Sequence, residues 1–274
     1  MNYDEIQKTL AGRSPIRCYE FKRGALAWLY NTSSESIKRN NMLFQSITGG
    51  ILDEGIIRSN GSQTDDFTVS APVSIAIAKL YTEQAPSNRI WLTAYDTDAN
   101  SDDLKQRWHG AINSVNYSEV DRIKIICIPA AALANKTGAT QTYARQCDDV
   151  IYDKQCKVNK ELYRVEGTIQ QIGVNSIQVA KAANYQDGWF NGGFIEFDVG
   201  SGELDRRYIE AHQGITLTLW GTSGSFSLGQ TINLFAGCNQ SQKDHCANKF
   251  NNSLNYQGCP HMQGRSPFDG NPVW

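Results

Sequence analysis

Short runs in which apolar and polar residues alternate dominate the chain. They occur at residues 16–21, 25–30, 67–69, 89–95, 108–117 and 122–128, bounded by clusters of Asn, Ser, Gly and Asp. A period of two places alternate side chains on opposite faces, so each run predicts an antiparallel strand with one buried face. Two stretches break the rule. Residues 1–12 carry apolar Ile6 and Leu10 at helical spacing before Gly12, which predicts a short terminal helix. SIAIAKLY, residues 74–81, follows Pro72 and precedes the turn-like Gln84-Ala85-Pro86, which predicts a short helix laid across a sheet.

From Ala130 to Arg145 the pattern fades into small residues that predict a connector with a marginal helix ending near Gly138. The predicted domains are therefore 1–130 and 131–274. Alternation resumes at 162–172, 176–180, 189–199, 206–211, 215–220 and 231–235, with glycines in or beside the turns, as a small six-stranded barrel or sandwich requires. The fold class expected is mainly β (α+β), with two β-barrel-like domains and short helices. QKDHCANKF, residues 242–250, predicts two turns of α-helix with Cys246 and Phe250 on one face. The Asn/Gly/Pro-rich stretch after it predicts an irregular tail that needs an anchor.

Composition narrows the chemistry. The 274 residues carry 26 Lys and Arg against 28 Asp and Glu, a formal net charge of −2, so no basic footprint for gripping nucleic acid is present. DNA is expected only in transit. No apolar run is long enough to predict a membrane span. The polar start MNYDEIQKTLAG lacks the basic and apolar regions of a secretory signal, which predicts that the chain stays in a reducing cytosol. No G-x-S-x-G, H-E-x-x-H or phosphate-binding glycine motif is found, and no enzyme is expected. The acidic stretch YDTDANSDD, with Asp96, Asp98, Asp102 and Asp103, lacks the glycine and glutamate of a calcium loop, because Ser101 and Arg107 stand there. It reads as a solvated loop. Trp189-Phe190 and Trp274 are candidate exposed anchors for neighbouring subunits.

Seven cysteines remain. Cys18 and Cys127 lie inside strand-like runs and read as core. Cys147 and Cys156 form C-x8-C; Cys238 and Cys246 form C-x7-C; Cys259 follows after twelve residues. Sets of four thiolates suit zinc or an iron-sulfur cluster, yet neither spacing is the C-x2-C of a zinc ribbon. The spacing leaves metal, unrelated buried thiols and disulfides all open. His245 and His261 are further candidate zinc ligands. If the two pairs meet, a metal there ties the entry of the second domain to its exit.

One stretch carries a resemblance. GCNQSQKDHCANKFNNSLNYQGCPH, residues 237–261, resembles the closing signature of a tail-tip hub family of long-tailed phages and gene transfer agents, related to the minor tail protein L of lambda-like phages. Cys238, Cys246, Lys249, Phe250, Asn251, Asn255, Tyr256, Gly258, Pro260 and His261 fall on its pattern. YARQCDDVIYDKQC, residues 143–156, resembles the family's other cysteine pair, and YEFKRG, SITGGI, APVSIAIAKLY and RWHGAINSV resemble its upstream strand signals in the same order.

That resemblance implies a non-enzymatic tail-tip hub, located in the virion and assembled in the host cytoplasm. It implies a trimeric ring that meets a distal tail protein, a tape measure protein and a central spike or fibre. It further implies that Cys147, Cys156, Cys238 and Cys246 ligate an iron-sulfur cluster of the [4Fe-4S] kind, stapling the second domain. Cys259 departs from the pattern, standing where the family has an aromatic or aliphatic residue, and reads as a core filler. Two readings compete: a zinc-stabilised receptor- or carbohydrate-binding module, and an iron-sulfur redox protein.

Overall fold

The computed structural model describes residues 15–57, 66–99, 101–117, 119–134 and 143–262. The expected terminal helix at 1–12, Trp274 and the end of the connector at 135–142 lie outside them. The chain divides into two compact units, Met1–Lys136 with Asp198–Asp205, and Thr137–Phe197 with Arg206–Trp274.

In the first unit β1 (Pro15–Arg23), β2 (Leu26–Asn31), β5 (Leu52–Asp53), β6 (Phe67–Pro72), β7 (Trp91–Asp98), β8 (Lys105–Asn116) and β9 (Arg122–Pro129) form one sheet. Its order is β2-β1-β7-β8-β9-β6-β5, and every described pairing is antiparallel. This corrects the expected barrel-like first domain: the sheet is open. β5 is only two residues long, too short to carry the ladder round to β2, whose outer edge bonds Gln45 instead.

Alternation gives the sheet two apolar faces. On one, Tyr19, Phe21, Val69, Leu92, Ile123 and Ile125 pack beneath α1 (Ala76–Thr82), which buries Ile77 and Ala78. On the other, Ile16, Cys18 and Phe44 form a smaller core. It is covered by the hairpin of β3 (Ile37–Arg39) and β4 (Met42–Phe44), which presents Ile37 and Met42. That hairpin turns on Asn40 and Asn41, both at positive φ (47° and 63°), a two-residue connection that suits the strand twist and that asparagine tolerates. Cys18 and Cys127 are buried, and burial pushes the Cys18 thiol up to about 12.

Two charged clusters interrupt the apolar pattern. Arg17 bridges Asp53 (3.0 Å) and Asp96 (2.7 Å), and Arg107 takes the other oxygen of Asp96 at 2.8 Å. Asp96 and Asp98 belong to β7, with Asp98 fully buried, so only Asp102 and Asp103 form the expected solvated acidic loop. Arg23, also fully buried, pairs with Asp205 at 3.3 Å, and the backbone N–H of Ser87 donates to the same carboxylate oxygen at 2.9 Å.

The second unit is a closed barrel of β10 (Arg164–Ile172), β11 (Ser176–Val179), β14 (Thr216–Leu219), β13 (Leu204–Gln213), β12 (Phe194–Asp198) and β15 (Thr231–Phe235), in that order. Closure leaves no free edge. Inward-facing Ile169, Ile177, Ile209, Leu217, Ile232 and Leu234 fill it. Register shifts after Ile169 and Ile209 mark bulges that bend β10 and β13. The predicted strand at 189–199 begins only at Phe194, because Gly188 and Gly192 hold positive φ and turn the chain ahead of it.

Closure also fixes where the chain enters and leaves the barrel. β10 and β15 pair antiparallel, Arg164 opposite Phe235, so the segment entering β10 and the segment leaving β15 emerge side by side.

Candidate functional site

Cys147 and Cys156 lie on the segment that leads into β10; Cys238 and Cys246 lie on the segment after β15. The closing ladder therefore delivers both pairs to one end of the barrel. All four line a single cavity at that end. Asp149, Gln240, Phe250, Asn252, Asn255 and Tyr256 share its wall.

Each cysteine is placed by local chemistry. Asp153 accepts the N–H groups of Gln155 (2.9 Å) and Cys156 (2.6 Å), a side-chain turn that fixes the Cys156 backbone. The N–H of Cys147 donates to Gln240 O at 3.2 Å, and the N–H of Gln240 donates to Cys238 Sγ at 3.3 Å. Gln240 itself holds φ at 62°, a left-handed turn. Beneath them Tyr152 sends its hydroxyl to Ala236 O at 2.6 Å and packs edge-on against Phe194, Phe235 and Phe250.

Cys246 sits on Gln242–Lys249, and here the expected α-helix is corrected. The segment is a π-helix: the N–H of Cys246 bonds Ser241 O and that of Phe250 bonds His245 O, five residues back in each case. Cys246 and Phe250 line the same cavity even so, as residues on one face of the helix. Its ends are tied: Ser241 Oγ accepts the N–H of His245, and Lys249 Nζ donates to Trp189 O (2.5 Å) and Gly237 O (2.7 Å). π-helical turns are rare and cluster at functional sites. Nothing in the hydropathy of QKDHCANKF distinguishes the two helix types.

Gly237, just before Cys238, passes so close to another loop that a Cβ there would collide with Asn191 O and Gly193 N. Glycine is required to bring this cysteine against the barrel.

The tail finds its anchor here. Tyr256 Oη donates to Arg145 O at 2.7 Å, with Gln240 O 3.2 Å away. The N–H of Cys259 donates to Ala144 O (2.7 Å), and Arg145 Nε donates to Met262 O (2.8 Å). A Cβ on Gly258 would meet Arg145 O at 2.7 Å. Cys259 thus serves the tail through its backbone and is not among the residues lining the four-thiol cavity. Asn252 was not singled out by sequence; its Nδ2 donates to Cys156 O at 2.6 Å, while its backbone carbonyl accepts from Cys246 Sγ at 3.2 Å. The adjacent Asn251, which fell on the motif, instead supplies a positive φ of 48°.

The electrostatics couple the thiols. Burial pushes the Cys238 and Cys246 thiols up, and nearby Cys156 and Cys147 add to the shift; for Cys238 the Gln240 N–H and Lys249 pull the other way. Burial also lowers Lys249 to about 8. His245 is not among the cavity-lining residues, and its Nδ1 accepts the Asn239 N–H at 3.0 Å. Among the described residues no group of three or more His, Cys, Asp or Glu is arranged to hold a metal ion. The four thiols face a shared space and do not converge on one point.

The remaining candidates are placed elsewhere. Phe190 is fully buried and Trp189 half-buried, with Lys249 Nζ 4.4 Å and Tyr185 5.7 Å from its ring, so the pair is no exposed anchor. Exposed aromatics that the sequence did not mark are Trp220 and Tyr208 on the barrel, with the Trp220 N–H bonded to Tyr208 O at 3.0 Å. Among the described residues no helix is long and apolar enough to cross a membrane.

Comparisons with known proteins bear on the same region. Residues 188–266 match the model of a family described as phage conserved hypothetical protein BR0599. No curated protein matches the chain. Among solved structures, a chain of the "Virion of native gene transfer agent (GTA) particle" has the same fold, with a TM-score of 0.77 and 18% sequence identity, over 98% of this chain and 94% of that one.

Proposed function

We propose that this chain is a structural component of a phage-type virion, acting as a hub of the tail tip in tail assembly and genome delivery. The observation that carries the reading is the likeness to a chain of the gene transfer agent virion, which runs over nearly the whole length of both chains, first unit and barrel together. The match of residues 188–266 to a phage family supports it from sequence. The role is non-catalytic, and the chain meets copies of itself and other virion proteins. The exposed pair Tyr208 and Trp220 gives the barrel aromatic surface of the kind enriched at protein interfaces.

Within that role Cys147, Cys156, Cys238 and Cys246 hold an iron-sulfur cluster of the [4Fe-4S] kind. The donor set fits: four thiols on one cavity, with an N–H already directed at Cys238 Sγ. A single zinc ion, with Zn–S bonds of about 2.3 Å, brings its sulfurs to within about 3.8 Å of one another, whereas a polynuclear core suits thiols spread round a cavity. When bound, the cluster supplies a cross-link between the segments flanking the barrel. This chain's own residues do the rest: Asp153, Gln240 and Asn252 orient the cysteine loops, and Tyr256 and Gly258 hold the tail over them.

Immunogold labelling of assembled particles tests the role. Label confined to the distal end of the tail is expected; label on the head, or none on intact particles, overturns it.

A further inference from the structure

We infer that Asn252 is a positioning residue for the metal centre, held by Asn255 so that its carboxamide N–H acts on the sulfur of Cys156. The inference rests on the iron-sulfur reading of the four-thiol cavity. Asn255 Nδ2 donates to Asn252 Oδ1 at 2.7 Å, which fixes the carbonyl end of the Asn252 amide and turns its NH2 end toward Cys156. One N–H is spent on Cys156 O at 2.6 Å. The nitrogen lies 3.9 Å from Cys156 Sγ, within the reach of a long N–H···S contact for the second hydrogen. Both asparagines line the cavity. The contact is with the ligand sulfur, so the residue acts through Cys156.

The chemistry sets the direction of the effect. An N–H directed at a ligating sulfur withdraws charge from it and favours the more negative, reduced state of a cluster, so it raises the reduction potential. Cys238 receives the same kind of contact from the Gln240 backbone, which no side-chain substitution removes. At Cys156 the donor is a side chain, and the effect can be tested.

The experiment uses the full-length chain, purified anaerobically and reconstituted with ferrous iron and sulfide. Iron content, visible absorption and reduction potential are measured for the wild type, Asn252→Ala and Asn255→Ala. All three are expected to retain iron, with the potential shifted downward in Asn252→Ala and by a smaller amount in Asn255→Ala. The reduced wild-type protein, labelled with ¹⁵N at the asparagine side-chain nitrogen, is expected to show a resolved ¹⁵N coupling to the cluster by pulsed electron paramagnetic resonance. The isosteric Asn252→Asp, which lacks the side-chain N–H, decides the matter if Asn252→Ala fails to fold: loss of the coupling supports the inference, and its persistence assigns it to Asn255 and overturns the inference. Wild-type protein without iron overturns the metal reading and this inference with it. Bound iron with unshifted potentials and no ¹⁵N coupling overturns the inference alone.

Discussion

The hydroxyl of Tyr256 donates to the backbone carbonyl of Arg145 across 2.7 Å, joining residues 111 apart in sequence. With Gly258 and Cys259 it lays the tail over the loop that carries Cys147. Tyr256→Phe removes this bond and leaves the carbonyl to water. A loss of about 1 kcal/mol is expected, the usual net worth of one such bond. Thermal unfolding checks it, and an unchanged midpoint counts against the tail as a clamp.

Gly237 is the tightest backbone crossing beside the cysteines. Gly237→Ala forces a Cβ against Asn191 O and Gly193 N, both backbone atoms that cannot swing aside. The second unit is expected to lose several kcal/mol, roughly the range of severe overpacking or more. Denaturant unfolding measures it, and a near-neutral variant would show that the loops can part freely.

Arg23 and Asp205 form a buried ion pair in the first unit, with side chains 0% and 5% exposed. Removing one partner strands the other charge away from water. Arg23→Ala is expected to cost about 3–5 kcal/mol, and the double variant with Asp205→Ala less than the sum of the singles. A double-mutant cycle reads the coupling; simple additivity would deny it.

Metal removal offers a separate check on the cysteines. Cys238→Ser should lower bound iron and the yield of folded full-length protein made anaerobically, while Cys259→Ser, altering a thiol outside the cavity, should leave both unchanged. Equal iron in the two variants would break the assignment.

Lys249 gives a pH dependence whose sign is set by its burial. Its folded pKa is lowered to about 8 from the ordinary 10.5, so between these values the unfolded chain binds more protons than the folded one. Stability attributable to Lys249 is full above the unfolded value and is lost progressively as pH falls from there to about 8. The stability difference between wild type and Lys249→Met is therefore expected to move in favour of the wild type as pH rises from about 8 to about 10. A flat difference in chemical denaturation across that interval would contradict it.

Much of the fold is readable along the chain because alternation is local. A strand with one buried face must repeat every two residues, and β1, β6, β9, β11 and β15 fall where that repeat predicts. The hairpin of β3 and β4 escaped it, because strands of three residues, Ile37–Arg39 and Met42–Phe44, are too short to show a period; only the Asn40-Asn41 pair between them carries a turn signal. The opening of the first sheet was not legible either: alternation gives the faces of strands and says nothing of whether the last strand reaches the first.

The cysteines divide in the same way. Their number and residue types are properties of the sequence, and with them the class of chemistry four thiols can perform. That two pairs far apart in the chain share one cavity is decided by the β10–β15 ladder, which closes the barrel and sets its entry beside its exit. The π-helix under Cys246, the collision that demands Gly237 and the amide that Asn255 turns toward Cys156 are likewise tertiary. Each depends on backbones brought together from distant parts of the chain, and no local pattern encodes a distance between them.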